Sequence, residues 1–254
     1  MAEQQTSAVK SADRVLAILD LVADSGPVRF TDVTAELGLP RSSAHGLLAT
    51  LAARGYLELD EETKRYGLGL SAWRLSQAYS GHSELERHAR PLMEELAAES
   101  GETVQLARLE GIHNVYIAIA HSPRPMKLVS HVGSRLHAHA TGVGKMLLAG
   151  LSPDEARRRL TAQELPRLTD RTVTDVDELM AVLASVREAG HAEDQEEYVE
   201  GCRCVAVPIS GRDGTAVAAM SVSMPAFRCD DDQALAHLKR LRATAQRLQR
   251  LTSS

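Results

Sequence analysis

The segment from residue 37 to residue 57 contains no acidic side chain, although acids are frequent on both sides of it. Within it, Ala44, Leu47, Leu48 and Leu51 recur at the spacing of one helix face. The opposite face is small and polar, and it carries Ser42, His45, Gly46 and Ala49, flanked by Arg41, Ser43, Thr50 and Arg54. Such groups at a helix start suit phosphates and base edges, whereas exposed acids would be repelled by DNA. The pattern favours a DNA-reading helix; the alternative is a helix pair inside an ordinary core.

The elements around this helix have the order of a winged helix-turn-helix. An amphipathic helix comes first, a short helix opens at Thr31, Gly38 ends it, and a short hairpin follows around the acidic turn 60–62. We therefore predict a DNA-binding domain over residues 9–70, with its helix-turn-helix at about 31–50. A linker helix over 71–83, which holds Trp73, then leads to a second domain over 84–254.

The second domain alternates helices and strands. Strands are predicted near residues 104–109, 114–120, 126–132, 192–198, 203–209 and 215–223. Capping patterns begin helices at Ser152 and Asp175, and a basic amphipathic helix from Asp230 ends the domain. Because several strand pairs have short connections, the fold class is α+β with a mostly antiparallel sheet.

Composition excludes several classes of protein. The chain has 29 Lys and Arg against 34 Asp and Glu, a net charge of −5, so any DNA contact must come from a local patch. Aromatic residues make up 3%, too few for platforms that stack single-stranded nucleic acid. Three cysteines make no disulfide framework, and neither a signal peptide nor an apolar span is recognisable. A cytoplasmic protein is expected.

Four motifs, in this order along the chain, resemble the IclR family of bacterial transcriptional regulators. They are LPRSSAHGLLATL at 39–51, RYGLG at 65–69, HATGVGK at 139–145, and EEYVEG with RCVAVP at 196–208. The resemblance implies a winged helix-turn-helix joined by a linker helix to a GAF-like effector domain. It also implies homodimers or dimers of dimers, a double-stranded DNA operator, a small-molecule effector and no catalysis. Gly46 stands where many members carry arginine.

The resemblance identifies two sets of site residues. The predicted DNA-binding set comprises Thr31, Arg41, Ser42, Ser43, His45, Gly46, Thr50 and Arg65. The effector set comprises Thr141, Gly142, Val143, Asp194, Cys204, Ser221 and Ser223. A helix start at Thr141 offers N–H groups, and two serine hydroxyls face one side of a strand, so a small polar metabolite or carboxylate is expected. Ordinary buried polar groups are the alternative interpretation.

The second domain also contains residues that could suggest three other kinds of site. Gly142-Val143-Gly144-Lys145 lacks the upstream glycine and the downstream Ser or Thr of a phosphate-binding loop. His131, His137 and His139 with Cys202 and Cys204 form a weak zinc hypothesis, because Cys-x-Cys is not a usual structural pair. A hydrolase using Cys204 would need a base beside it, for which the sequence gives no evidence. We predict no cofactor, no metal and no catalytic residue.

Overall fold

The structure is a computed structural model that describes residues 9–78, 83–127, 130–211 and 214–252. The chain divides into two compact units, Met1–Gly81 and His82–Ser254. Residues 79–82 of the predicted linker lie outside the described residues. No helix in the described part of the chain is long and apolar enough to cross a membrane.

The N-terminal unit is a winged helix-turn-helix. Its elements are α1 (Lys10–Ser25), β1 (Val28–Arg29), α2 (Phe30–Glu36), α3 (Arg41–Ala53), β2 (Leu57–Asp60), β3 (Arg65–Leu68) and α4 (Leu70–Gln77). The strands form an antiparallel sheet in the order β1-β3-β2. Ile18, Val33 and Leu48 are fully buried where the first three helices meet, which confirms the predicted apolar face of α3.

Local sequence explains how α2, α3 and the wing are arranged. Gly38 adopts φ +59°, a left-handed conformation that favours glycine, and so turns the chain between α2 and α3. Pro40 directly precedes α3 and cannot donate a hydrogen bond from its own nitrogen. In the wing, the Asp60 carboxylate accepts the backbone N–H groups of Glu62 and Thr63, which closes the β2–β3 turn.

The C-terminal unit is built around a six-stranded sheet. Its helices are α5 (Ser83–Ser100), α6 (Gly142–Ala149), α7 (Pro153–Thr161), α8 (Val176–Ala189) and α9 (Asp231–Thr252). Its strands are β4 (Thr103–Glu110), β5 (His113–Ala120), β6 (Arg135–His137), β7 (Ala192–Gln195), β8 (Cys202–Ser210) and β9 (Ala216–Pro225). They lie in the order β6-β5-β4-β9-β8-β7, and every neighbouring pair is antiparallel.

Strand alternation divides this sheet into two apolar faces. Larger side chains such as Val104 and Leu106 pack beneath α5 and α9. Smaller ones such as Ala107 and Ala206 meet α6 and α8 on the other face. Gly144 of α6 lies so close to Ala138 that an added Cβ would be 2.3 Å from the Ala138 backbone. The small residues therefore let α6 approach the sheet closely.

The prediction of a strand over residues 126–132 is wrong for the described part of that range. Residues 126, 127 and 130–132 form no strand; residues 128 and 129 lie outside the described part. The chain instead turns at Gly133, where φ is +90°, and enters the sheet as β6 beside His113, Asn114 and Val115.

Candidate functional site

The exposed side of α3 is the first candidate site. Arg41, Ser42, His45, Gly46 and Thr50 are exposed, as is Thr31 in α2, whereas Ser43 and Arg65 are partly buried. Space around Gly46 is open, since an added Cβ would meet nothing within 4 Å. The side that sequence patterning predicted to face outward therefore does so.

Several of these side chains are held by neighbours within the N-terminal unit. The guanidinium of Arg41 lies over the ring of Phe30, 5.4 Å from its centre. The Thr50 hydroxyl donates to the Gly46 carbonyl at 2.7 Å. Arg65 donates to the Pro27 carbonyl at 2.7 Å, so part of its guanidinium serves the fold. Phe30 was missed by sequence reasoning, because its contact with Arg41 depends on the turn between α2 and α3.

A small cavity in the C-terminal unit is the second candidate site. It has a volume of about 120 Å³ and lies between the sheet and the start of α6. Five residues of the predicted effector set line it: Thr141, Val143, Asp194, Cys204 and Ser223. The other lining residues were not in that set: Gln105, Tyr116, Ser130, Leu136, Tyr198, Val199 and Cys202.

Strand register brings the distant lining residues together. Asp194 of β7 lies opposite Cys204 of β8, and Cys204 lies opposite Ser223 of β9. Ser221 lies two residues before Ser223 in β9, opposite Gln105 of β4. Ser221 does not line the cavity itself, and it contributes through its contact with Gln105.

Gln105 is the main polar residue that sequence reasoning missed. Its side-chain oxygen accepts the hydroxyls of Ser221 at 3.0 Å and Ser223 at 2.7 Å, and its amide nitrogen donates to Ser130 at 3.3 Å. Gln105 is buried in β4 between Val104 and Leu106. A lone amide within an apolar strand was the available signal, because a buried amide needs polar partners.

The start of α6 offers fewer free donors than a helix start usually does. The Thr141 hydroxyl accepts the Gly144 N–H at 3.1 Å and donates to the Asn114 side-chain oxygen at 2.6 Å. Gly142 approaches Cys204 so closely that an added Cβ would lie 2.7 Å from its sulfur. Gly142 is thus a packing residue of the site, and Thr141 a helix cap.

Asp194 is the acidic group of the cavity. Its carboxylate accepts the Glu197 N–H at 2.8 Å, and its side chain is buried. Burial raises the pKa of Asp194 to about 7, although backbone N–H donors and Lys145 act in the opposite direction. Lys145 of α6 is itself engaged in a buried ion pair with Glu197.

The described cysteines and histidines lack the arrangement that a zinc site or a cysteine hydrolase needs. Burial raises the pKa of Cys204 to about 12 and raises the pKa of Cys202 as well, so both are thiols at neutral pH. The lining residues include no histidine to act as a base. Across the described ranges there is no group of three or more His, Cys, Asp or Glu side chains placed to hold a metal ion.

Three histidines nevertheless lie together at the β5–β6 edge of the sheet. The rings of His113 and His137 are 4.9 Å apart, and those of His137 and His139 are 5.7 Å apart. The Nδ1 atom of each is buried without a hydrogen-bond partner among the described residues. Burial lowers the pKa of all three, that of His113 to about 4, so they are neutral at neutral pH.

Comparisons with known protein families match both parts of the chain. A family model for the C-terminal part of the bacterial transcriptional regulator IclR matches residues 77–250, and one for the IclR helix-turn-helix domain matches residues 11–61. The chain belongs to the IclR family. Its IclR-type helix-turn-helix match covers α2 and α3, and the match to the C-terminal model covers the cavity.

Curated relatives are IclR-family regulators of similar length. The regulator BhcR of Paracoccus denitrificans is 37% identical over 228 residues, which cover 90% of this chain and 82% of BhcR. The regulator KdgR of Escherichia coli is 31% identical over 246 residues, which cover 97% of this chain and 94% of KdgR.

Solved structures share the same architecture. A transcriptional regulator from Rhodococcus sp. RHA1 matches with a TM-score of 0.77 at 31% identity, covering 96% of this chain and 98% of that one. An IclR homologue from Microbacterium hydrocarbonoxydans, complexed with 4-hydroxybenzoate, matches with a TM-score of 0.78 at 27% identity, covering 95% and 98%. This IclR-family chain is therefore a ligand-responsive, DNA-binding transcription regulator.

Proposed function

We propose that α3 contacts the operator through Arg41, Ser42, Ser43, His45, Gly46 and Thr50, assisted by Thr31 and Arg65. The observation that carries this assignment is the exposed side of α3, which presents a cation and hydroxyls with no acid. The wing tip is less suited to DNA, since Asp60, Glu61 and Glu62 are exposed there. We also infer that the regulator is cytoplasmic, because it binds DNA. We assign its domains to residues 9–70 and 84–254, with the linker 71–83 between them.

The effector is a small polar metabolite, best a carboxylate, held in the cavity by Thr141, Val143, Asp194, Cys204 and Ser223, with Gln105 added. Gly142 and Ser221 support this site from behind, through Cys204 and Gln105. The lining residues that carry donor groups for it include Gln105, Val143, Tyr116 and Tyr198. The carboxylate ligand of the Microbacterium relative supports the same chemistry.

A larger groove is a weaker candidate for the effector site. It measures about 510 Å³, lies open between α8 and β7, and is lined by Arg171, Glu193 and the already paired Lys145 and Glu197. A small ligand would remain largely in water there. We favour the cavity, which is the more enclosed of the two, because burial strengthens each hydrogen bond to the ligand.

The protein is a regulator without catalysis, and it acts as a homodimer or a dimer of dimers. Both cavity cysteines are protonated and have no histidine beside them in the lining, which suits a sensor wall better than a nucleophile. Leu70, Trp73 and Leu75 of α4 are 60–63% exposed in the single chain, so packing against the winged unit does not cover them. A second copy would cover them, and the effector would change operator affinity by about 1–3 kcal/mol through the linker.

One experiment tests this function. Duplexes retained by the purified protein are selected from a random pool, and a gel shift then measures their release by a panel of small carboxylates and the corresponding amides. We expect one sequence class to be retained and one group of carboxylates to change its affinity by five- to 150-fold, roughly the usual range of coupling. Retention without sequence preference would contradict the operator assignment, and indifference to every carboxylate would contradict the effector class.

A further inference from the structure

Among the described residues around the effector cavity, no unpaired cation lies beside the acid Asp194. Charged or titratable groups facing Asp194 come from β5, α6, β8 and the loop after β7, and they are Tyr116, Lys145, Cys202, Cys204, Glu197 and Tyr198. The tyrosines and cysteines are neutral at neutral pH, since burial raises the pKa of each. Only Lys145 is positive, and the Glu197 carboxylate holds its ammonium group.

This arrangement is unfavourable for a second carboxylate. Lys145 and Glu197 cancel each other's charge, so an ionised Asp194 would face an anionic ligand with no unpaired cation among the described residues nearby. Two carboxylates that share a buried site cannot both ionise without a large cost, and one of them takes a proton instead. The backbone N–H groups of Glu197, at 2.8 Å, and of Tyr198 favour the ionised form of Asp194, but burial outweighs them.

We propose that Asp194 determines the specificity of the cavity by entering the complex as a neutral carboxyl group, which donates its O–H to the carboxylate of the effector. The inference rests on the proposed carboxylate effector. When Asp194 is ionised in the free protein, binding takes up one proton from solution, and the proton is shared between the two carboxyl groups in the complex. The regulator then responds to the metabolite and to acidity together.

The Gln105 side chain is suited to the same complex. Because its oxygen is occupied by Ser221 and Ser223, its amide nitrogen is the group left to face a ligand. That nitrogen donates at 3.3 Å to Ser130, which also lines the cavity. Gln105 and protonated Asp194 together supply hydrogen-bond donors without a cation. At high pH Asp194 ionises and repels a carboxylate, so the neutral amide of the same ligand loses less affinity than the carboxylate does.

Calorimetry on the full chain tests the proposal with defined probes. These are 4-hydroxybenzoate and propionate, each compared with its amide, titrated at pH 6 and pH 8 in buffers of different ionisation enthalpy. Because the pKa of Asp194 is about 7, carboxylate affinity should fall about tenfold from pH 6 to pH 8. At pH 8 close to one proton is taken up per ligand, whereas amide binding takes up none. The proton count uses the wild-type protein and so does not depend on how a variant folds.

Two substitutions sharpen the test. Asp194→Asn supplies a permanent N–H donor of nearly the same shape, so it should bind the carboxylates with almost equal affinity at pH 6 and pH 8. Glu193→Gln, the neighbouring residue of β7, removes a carboxylate that does not line the cavity and should behave like the wild type.

The outcomes separate the two proposals. Carboxylate binding that is independent of pH, or that takes up no proton at pH 8, overturns the role of Asp194 and leaves the carboxylate effector intact. If only the amides bind, or if no probe binds even at pH 6, both the role of Asp194 and the carboxylate effector are overturned. At pH 6 Asp194 is neutral and does not repel an anion, so its charge cannot explain a failure to bind.

Discussion

The guanidinium carbon of Arg41 lies 5.4 Å from the centre of the Phe30 ring. Phe30 begins α2 and is partly buried against the N-terminal core, whereas Arg41 begins α3 and is exposed. The ring thus limits the directions that a long side chain can take before it meets DNA. Ordering a free arginine on binding costs about 2 kcal/mol of side-chain entropy at most, part of which the stack removes in advance.

Operator affinity is expected to depend on this pair. Arg41→Glu places a negative charge against phosphate, so binding should weaken at least tenfold, about 1.4 kcal/mol or more. Phe30→Leu should give a smaller loss, because the charge remains and only its orientation is freed. A gel shift on the selected duplex measures both. Lys239→Glu on α9 is the control with the same change in net charge. Unchanged binding by folded Arg41→Glu would remove α3 from the interface.

Assembly is expected to depend on the exposed apolar face of α4. Trp73 is 60% exposed in the single chain, and a lone tryptophan of this exposure is unfavourable in water unless a partner covers it. Trp73→Ala should therefore shift the protein towards monomers at micromolar concentration in light scattering. Phe227→Ala is the matched control, because Phe227 is equally aromatic and 74% exposed but lies in the other unit. A wild-type monomer, or an assembled Trp73→Ala variant, would contradict the dimer contact.

Effector affinity is expected to depend on Ser221 and Ser223 through Gln105. Each serine hydroxyl donates to the Gln105 oxygen, and a net hydrogen bond is worth about 1 kcal/mol. Both Gln105→Met and the double variant Ser221→Ala/Ser223→Ala should weaken the effector about five- to tenfold.

The two changes should not add when they are combined, because each one breaks the same hydrogen bonds. Operator release in a gel shift provides the measurement. Ser185→Ala, in the open groove beside α8, is the control and should have no effect. A loss at Ser185 with none at Gln105 would place the effector in the groove instead.

The histidine cluster at the β5–β6 edge is expected to make the protein sensitive to acid. Because the folded-state pKa values of His113, His137 and His139 lie below the ordinary value near 6.5, the folded state favours neutral rings. Their contribution to stability is complete above about pH 6.5 and is lost as the pH falls towards 4, the pKa of His113.

Urea unfolding at pH 7.5 and pH 5 measures this effect. The unfolding midpoint should drop less on acidification in His113→Gln/His137→Gln than in the wild type. His121→Gln, at an exposed position, is the control. Asp194, whose raised pKa acts in the opposite direction, is common to all three proteins and cancels in the comparison. Equal acid sensitivity in all of them would exclude the cluster as its source.

The ion pair between Lys145 and Glu197 is expected to stabilise the C-terminal unit. The two side chains are only 4% and 12% exposed, and the second Glu197 oxygen is buried without a partner in the described residues. Lys145→Met would leave an uncompensated buried carboxylate, which typically costs 3–5 kcal/mol, about the scale seen for broken buried pairs. Urea unfolding measures the loss.

A surface pair provides the comparison for that measurement. Arg158→Met breaks an ion pair with Glu155 in which Arg158 is 72% exposed, and it should cost about 0–1 kcal/mol. The double variant Lys145→Met/Glu197→Leu should recover much of the loss, because no buried charge then remains. If Lys145→Met cost no more than Arg158→Met, the buried pair would contribute little to stability.

The amino-acid sequence alone determined most helix boundaries of this protein, although it misplaced a strand at 126–132. Apolar periodicity placed α3, and the capping side chains of Ser152 and Asp175 began α7 and α8 as predicted, each accepting N–H groups of the first turn. Gly190, at φ +66°, ends α8 as expected. The motifs identified the family. These signals depend on residues close together in the chain, so they can be read without knowing the fold.

Only the tertiary structure decided which distant residues meet. Gln105 and Ser221 are far apart in sequence, and the contact between them exists because β4 and β9 pair in one particular register. The sequence assigned no partner to Lys145, and the fold placed Glu197 beside it, so the cation that acts on Asp194 is already paired. Hydrogen bonding and the cost of a buried charge depend on three-dimensional neighbours and on exclusion of water, and neither is fixed by spacing along the chain.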